Sequence, residues 1–376
     1  MVVVVLVPIG FSYVRAMMRP SSVPLGIRSV EWLRASGFAW LVNDVERLYY
    51  TRTAPKKGGP PLATLPSVGG SSATAPRAPR PYRAVRHKQS AAQGFLPSPI
   101  RAVLRPRLVG EGVWHIATQR ASGPPALLET TFRPDPSYPR FVAYVAWINH
   151  TRTELALTPG RYEPPSGSLR GAMQVPFDQR WRLLATFNSG FTWRDGHGGF
   201  VANGRTYEPL RSGLATLIAY RDGHVNIVSW NGGSTPGFSV IHARQNLPLI
   251  VDRGRLTAHL SSGPEWGATL GNAIRVWRSG IGIDRHGNLV YAAADYQTVT
   301  SLAEILVRAG AVRAMELDIN AEWPTFISYG RGGSRDPIKL VPNSQQSPNR
   351  YLVPDDRDFF TVYRRLGRAS LGSGSK

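Results

Sequence analysis

Three textures of hydrophobic and polar positions divide the chain. In the first, Phe38, Leu41, Val42, Val45, Leu48 and Tyr49 fall at i, i+3, i+4, i+7, i+10 and i+11, one continuous face at helical period. The pattern predicts a helical segment over residues 27–50, interrupted at Gly37. The second texture, residues 51–108, has no period at all. The third begins at Gly112, where short apolar runs alternate with Gly- and Pro-containing turns. Residues 113–118, 127–133, 141–148, 153–157 and 181–187 read as strands, and residues 213–220 and 225–230 pair around Asp222-Gly223 as a hairpin. No fixed-period repeat occurs, and strands do not alternate regularly with helices. The expected fold is α+β: a strand-rich, mixed or mostly antiparallel core with few helices, preceded by an N-terminal helix and a Pro-rich linker.

The densest patterning lies in residues 272–323. Apolar runs 281–284 and 289–294 are joined by Arg285-His286-Gly287-Asn288, a hairpin signal. Ser301 with Glu304 fits a capping box at a helix start. Leu302, Ile305, Leu306 and Ala309 then keep one apolar face, and Gly310 supplies a stop. Residues 311–317 follow as a buried strand that delivers Asp318 and Asn320 at its exit.

Composition changes the picture mainly at the N-terminal side. Apolar content of 42% and ten Trp exclude wholesale disorder, and the absence of Cys removes disulfides and thiolate metal sites. The net charge of +21 is uneven: residues 47–110 hold twelve Lys/Arg, no Asp/Glu and ten Pro. Such a stretch stays extended and reads either as a solvated linker or as a contact for a membrane surface or an anionic wall polymer. Nucleic acid ranks last, because few aromatics are interleaved with the charges. Residues 1–14 (MVVVVLVPIGFSYV) are apolar but short of the ~20 residues that span a bilayer. The expected segments are 1–19 signal- or anchor-like, 20–50 amphipathic helical, 51–108 linker, 109–365 main domain and 366–376 flexible tail.

Several residues have types and positions that suit chemistry. Glu316 and Asp318 alternate with Met315 and Leu317, so a continued strand turns both carboxylates to one side, with Asn320 next in the row. Paired carboxylates serve glycoside hydrolysis as acid and as base or nucleophile. On solvent-facing positions the same residues are a polar strand face and a turn cap. Arg278 has the fork to hold a phosphate or to pair with a carboxylate. Asn188-Ser189-Gly190 can aim an amide and turn N–H groups at an anion, or form an ordinary Asn turn. His197 sits in a Gly loop beside Asp195. Asp284 and Asp295 flank the hairpin as site carboxylates or turn formers. No cofactor is indicated; a Ca²⁺ ion among Asp318, Asn320 and Asp284 is allowed by ligand type but not demanded by spacing. Serine-hydrolase elbow, His-Glu-x-x-His and Walker motifs are absent.

Taken in order, Phe187-Asn188-Ser189-Gly190-Phe191, Arg278-Ser279-Gly280-Ile281-Gly282, Asp295 and Ala314-Met315-Glu316-Leu317-Asp318 resemble the phosphodiester glycosidase family. The resemblance runs over residues 112–326. It implies hydrolysis of the glycosidic bond of a sugar-1-phosphodiester. Asp318, Glu316 and Asp284 are then the catalytic set, while Arg278, Asn188, Ser189, Gly190, Asp295, Asn320 and His197 hold the phosphate and substrate. The family's last strand ends Leu-Asp-Gly-Gly-Gly-Ser; here Asp318 is followed by Ile319-Asn320-Ala321-Glu322, and the glycine turn is lost. The alternative is a non-catalytic cell-surface module that binds a phosphate-bearing polymer. Arg15 and Arg19 favour a cytoplasmic downstream side, whereas the resemblance implies an extracytoplasmic, membrane-anchored or secreted protein, which is the expectation adopted.

Overall fold

The computed structural model describes residues 2–366 apart from 22, 39, 43, 46–54, 67–94, 119–122, 167–169, 259, 261–262, 268–274, 331–333 and 343–345. Two helices lead: α1 (Val2–Met18) and α2 (Leu25–Ala35), the latter ending where Gly37 takes a positive φ of 88°. The apolar face expected over residues 38–49 falls partly outside the described residues. Among the described residues no helix is long and apolar enough to cross a membrane.

The body is built of strands β1 (His115–Ile116), β2 (Leu127–Phe132), β3 (Ala143–Ile148), β4 (Thr153–Thr158), β5 (Leu183–Asn188), β6 (Phe200–Ala202), β7 (Arg205–Glu208), β8 (Ala215–Tyr220), β9 (Val225–Ser229), β10 (Val240–Gln245), β11 (Val251–Asp252), β12 (Arg255–Leu256), β13 (Val276–Asp284), β14 (Leu289–Gln297), β15 (Ala311–Glu316), β16 (Phe326–Tyr329), β17 (Pro337–Lys339) and β18 (Phe359–Arg364). They form three sheets with the orders β1-β2-β3-β14-β13-β15-β11-β12, β7-β6-β10-β8-β9 and β17-β16-β5-β18-β4. The described pairs are antiparallel, from the β13–β14 hairpin to the β18–β5 pair. Among the described residues helices are few: besides the leading pair and helical residues at 40–42 and 44–45, a single turn α3 (Trp193–Gly196) and α4 (Val299–Arg308). The fold is therefore the expected α+β, strand-rich and antiparallel.

The large sheet is covered on both faces. On one side Ile281, Tyr291, Met315 and Leu317 pack against Phe187, Phe326 and Phe360 of the third sheet. On the other, Trp147, Val290 and Ala292 pack against Leu302, Ile305 and Leu306 of α4. The glycines of β13 leave room on this face: a Cβ on Gly280 would stand 3.0 Å from Leu306 Cδ1 of α4, and one on Gly282 would stand 2.6 Å from the Ala311 Cβ of β15. The Gly-x-Gly pattern of the strand lets α4 and β15 pack close to it.

Three local expectations need revision. The helix begins at Val299: Thr298 is the N-cap, its hydroxyl accepting from Ser301 N while Ser301 Oγ accepts from Thr298 N. Thr298 and Ser301 keep the box spacing one turn earlier, which leaves Glu304 exposed on the helix surface. The strand expected over 113–118 narrows to β1, two residues paired with β2. Within the stretch read as linker, residues 55–66 lie against the main domain, with Gly58 N donating to Ser137 O and Leu62 and Leu65 packed on the core.

Candidate functional site

Strand order gathers three loops at one end of the body. Asn188 closes β5 opposite Phe359, the first residue of β18, so the loop 188–192 lies beside 355–358. Glu316 closes β15 opposite Gly280, which brings Asp318 to Ser279. Asp318 N donates to Ser279 Oγ at 3.1 Å and Ser279 Oγ donates to the Asp318 carbonyl at 2.9 Å. Asn188 Nδ2 reaches the same hydroxyl at 3.0 Å, while Asn188 Oδ1 accepts from Tyr291 Oη and Thr325 N. Asn188 is thus the joint between three elements, and both ends of its amide are committed.

The Asp318 carboxylate faces a cation that the sequence patterns did not single out. Arg357 Nη2 donates to Asp318 Oδ2 at 3.0 Å and to Gly190 O at 3.1 Å. Asn320 N donates to Asp318 Oδ1 at 3.0 Å. Trp323 covers the guanidinium, its ring centroid 4.9 Å from Arg357 Cζ. Behind this pair stand Arg244–Asp358 at 2.9 Å and Glu163, whose Oε2 accepts from Trp193 N at 2.9 Å. Asn246 ties the loops together, accepting from Phe191 N and donating to the Glu316 and Leu317 carbonyls. A Cβ on Gly190 would stand 3.0 Å from Asn246 Cγ, so the Asn246 side chain would have to give way.

Electrostatics follow from burial. Burial pushes the Asp318 carboxyl above its ordinary value, and Arg357 pulls against that rise. Glu163 is raised for the same reason, again opposed by Arg357. Burial works against the charge of Arg357, but Asp318 and Glu163 overcome it and hold the guanidinium protonated. Three buried polar atoms of this centre have no hydrogen-bond partner among the described residues: Ser189 Oγ, Arg357 Nε and Asp358 Oδ1. Most buried polar groups in folded proteins are paired. These orphans lie around one ion pair.

The expected residues fall into three groups. Asp318, Asn188, Ser189, Gly190 and Asn320 meet in this centre, where Asn188 and Asn320 hydrogen-bond the neighbouring loops and Asp318. Arg278 and Glu316 are adjacent but face the α4 side of the sheet. Arg278 Nη1 lies 2.5 Å from Glu316 Oε1 and also donates to Trp266 O, and Nε donates to Gln297 O. Burial raises Glu316 while Arg278 pulls it down. Their pairing corrects the expectation that Glu316 and Asp318 share one row: β15 ends at Glu316, and the chain turns before Asp318. The remaining residues lie elsewhere. Asp284 is at the far end of β13, roughly 17 Å along the strand from Ser279 at ~3.3 Å per residue. There its Oδ2 accepts from Trp147 Nε1 and Asn288 Nδ2 and its Oδ1 from the His286 and Asn288 amides, a turn-forming role. That position also separates it from Asp318 and Asn320. Among the described residues no group of three or more His, Asp or Glu is placed to hold a metal ion. His197 is exposed and left-handed (φ 48°) at the end of α3, its ring edge-on to Trp193. Asp295 lines a separate cleft.

Arg357 and Glu163 were missed because neither belongs to a patterned element. The one available hint was Asp355-Asp356-Arg357-Asp358, an arginine enclosed by acids immediately before an apolar strand.

The site's class is a buried carboxylate–guanidinium centre at the loop end of an antiparallel α+β fold. Residues 182–318 match the family model of the phosphodiester glycosidases. That match supports a hydrolase-like role. No curated protein matches the chain by sequence. Among solved structures, the zebrafish N-acetylglucosamine-1-phosphodiester alpha-N-acetylglucosaminidase catalytic domain auto-inhibited by pro-peptide aligns with a TM-score of 0.43 at 15% identity, over 67% of this chain and 88% of that one. A hypothetical protein from Synechocystis aligns at 0.38 and 14% identity, over 65% of each chain. A putative exported protein from Burkholderia pseudomallei aligns at 0.31 and 12% identity, over 61% of this chain and 75% of that one.

Proposed function

We propose that the chain is a hydrolase that cleaves the glycosidic bond of a sugar-1-phosphodiester at the Asp318–Arg357 centre. The observation that carries this reading is the buried ion pair with Arg357 Nε and Ser189 Oγ left unpartnered beside it among the described residues. An arginine with an N–H to spare can donate to a phosphate oxygen without abandoning Asp318. Departure of the phosphate monoester from the anomeric carbon leaves an oxocarbenium-like centre, which a nearby carboxylate stabilises and which water attacks with a carboxylate as base, giving the free sugar. Phosphate is a better leaving group than a sugar alkoxide, so the strong acid of ordinary glycosidases is dispensable. Asp318 takes the reacting role, Arg357 replaces Arg278 as the phosphate cation, and Glu163 replaces Glu316 as the second carboxylate. We place this enzyme outside the cytosol, an assignment that cell fractionation tests directly.

A second reading, a non-catalytic module that binds a phosphate-bearing polymer, is favoured by the turn after Asp318. Asn320 Oδ1 accepts from Glu322 N, and the chain runs on into Trp323, which caps Arg357. Incubation of the purified chain with a panel of hexose-1-phosphate benzyl esters separates the two. The hydrolase reading expects free sugar from at least one ester. No release across the panel, together with retained binding, supports the module instead.

A further inference from the structure

Residues 55–66 form one wall of a cleft of about 700 Å³ on the side of β13 away from Arg278. That volume is in the range of small-molecule sites. The other walls come from residues 138–144 and from the β13–β14 pair. The two strands slip register between Val276↔Gln297 and Arg278↔Ala294, so Asp295 and Tyr296 both oppose Trp277. Tyr296 has a φ of 55°, left-handed and costly for a bulky side chain. A bulge of this kind redirects side chains, and here Asp295, Tyr296 and Trp277 all line the cleft.

The chemistry of the lining is mixed in a particular way. Tyr138, Phe141 and Tyr296 stack in series, with ring centroids 4.6 and 5.5 Å apart, and Trp277 and Tyr144 add further aromatic surface. Asp295 is a half-buried carboxyl whose Oδ1 accepts from its neighbour's Tyr296 N at 2.7 Å. Burial pushes it up to about 6, and its charge reaches the Tyr144 hydroxyl. At the mouth stand Lys56, Lys57 and Arg140, all exposed and none with an ion-pair partner among the described residues. Three cations and a single carboxylate therefore line the cleft.

An occupant must offer apolar faces to the aromatics, hydroxyl donors to Asp295 and negative charge to the rim. A pyranose carrying a phosphate or carboxylate group satisfies all three. We infer that this cleft is a second binding site, for an anionic saccharide. It is distinct from the Asp318 centre, but the two are neighbours: Trp277 lies two residues before Ser279 on the same strand, facing the same side. The inference does not depend on hydrolysis at Asp318.

Calorimetric titration of the full chain with glucose 6-phosphate tests it, with glucose, inorganic phosphate and AMP as comparison probes. Glucose 6-phosphate should bind about tenfold more tightly than glucose or inorganic phosphate. The exposed triple variant Lys56→Ser, Lys57→Ser, Arg140→Ser should weaken that binding about tenfold. Asp295→Asn should weaken glucose 6-phosphate without changing the affinity for inorganic phosphate. Asp318→Asn should leave the affinity within about twofold, which separates this site from the hydrolytic one. The proposal is overturned if glucose 6-phosphate does not bind, if the triple variant binds it as wild type does, or if inorganic phosphate binds equally well. Tighter binding of AMP would assign the cleft to a nucleotide and equally overturn it.

Discussion

Single buried charges divide into those with a partner and those without, and the difference predicts behaviour. Glu129 on β2 is fully enclosed, with Oε1 unpartnered among the described residues. Burial pushes its carboxyl up from 4.5 to about 7, against a small pull from Ser328. Between those values the native chain keeps a proton that the unfolded chain has released, so this group's contribution to stability is full below pH 4.5 and is lost as pH rises to 7. Glu129→Gln cannot ionise and should stabilise the protein at pH 8 by about 3 kcal/mol, with no gain at pH 4. Chemical denaturation at the two pH values reads this directly; an equal effect at both would contradict it. Arg278 is the opposite case, with its charge balanced by Glu316 behind the sheet. Arg278→Met strands a buried carboxylate and should cost about 3–5 kcal/mol at pH 8, where Glu316 pays most to remain charged. Glu316→Leu in the same background should recover much of that loss, which a double-mutant cycle in urea would show.

At the scale of elements, the β13–β14 hairpin, α4 and β15 were legible because their signals are local. Gly287 turns the hairpin at a φ of 84°, and the 3.6-residue stripe from Leu302 to Ala309 faces the sheet as expected. The helix start was misplaced for a local reason too, since Ser301–Glu304 and Thr298–Ser301 both offer a capping pair and only geometry chooses. Thr298→Ala should therefore cost about 1 kcal/mol, and Glu304→Ala only a few tenths. Equal costs in thermal unfolding would argue for the later cap. The glycines of β13 were read as family signature, whereas their packing role is steric. Gly282→Val drives a side chain into Ala311 and should lose about 3 kcal/mol or fail to fold.

The whole molecule explains what remained hidden. Arg357 lies 39 residues from Asp318 and 167 from Gly190, and only the order β16-β5-β18 brings the three together. No window of sequence contains that contact. The row Glu316, Asp318, Asn320 failed for a related reason: the strand stops when its partner Gly280 ends the ladder, and tertiary contacts with Ser279 and Arg357 decide where Asp318 points. Past this centre, the segment that joins α1 to α2 rests on the same loops. Val23 and Ile27 pack on Trp323, Ser21 Oγ donates to Asp356 Oδ2 at 3.0 Å, and Arg161 links Asp356 to the Pro20 carbonyl. Ile27→Asp should loosen this attachment and expose Arg28 and Arg34 to trypsin at lower doses, leaving the sheet body resistant. Unchanged protection would show that the helices are held by other contacts. The central claim concerns Asp318 and Arg357 as the reacting centre. The most direct test is the rate of sugar release from a cleavable hexose-1-phosphodiester by wild type, Asp318→Asn and Arg357→Lys, with thermal unfolding of each recorded alongside. Asn keeps the shape and, with its single oxygen turned to Arg357 Nη2, that hydrogen bond; its NH2 cannot accept from Asn320 N, and the side chain cannot act as base or carry charge. The account predicts that Asp318→Asn lowers kcat by about a hundredfold or more while unfolding within a few degrees of wild type, and that Arg357→Lys chiefly raises KM. Turnover by Asp318→Asn at the wild-type rate would contradict it.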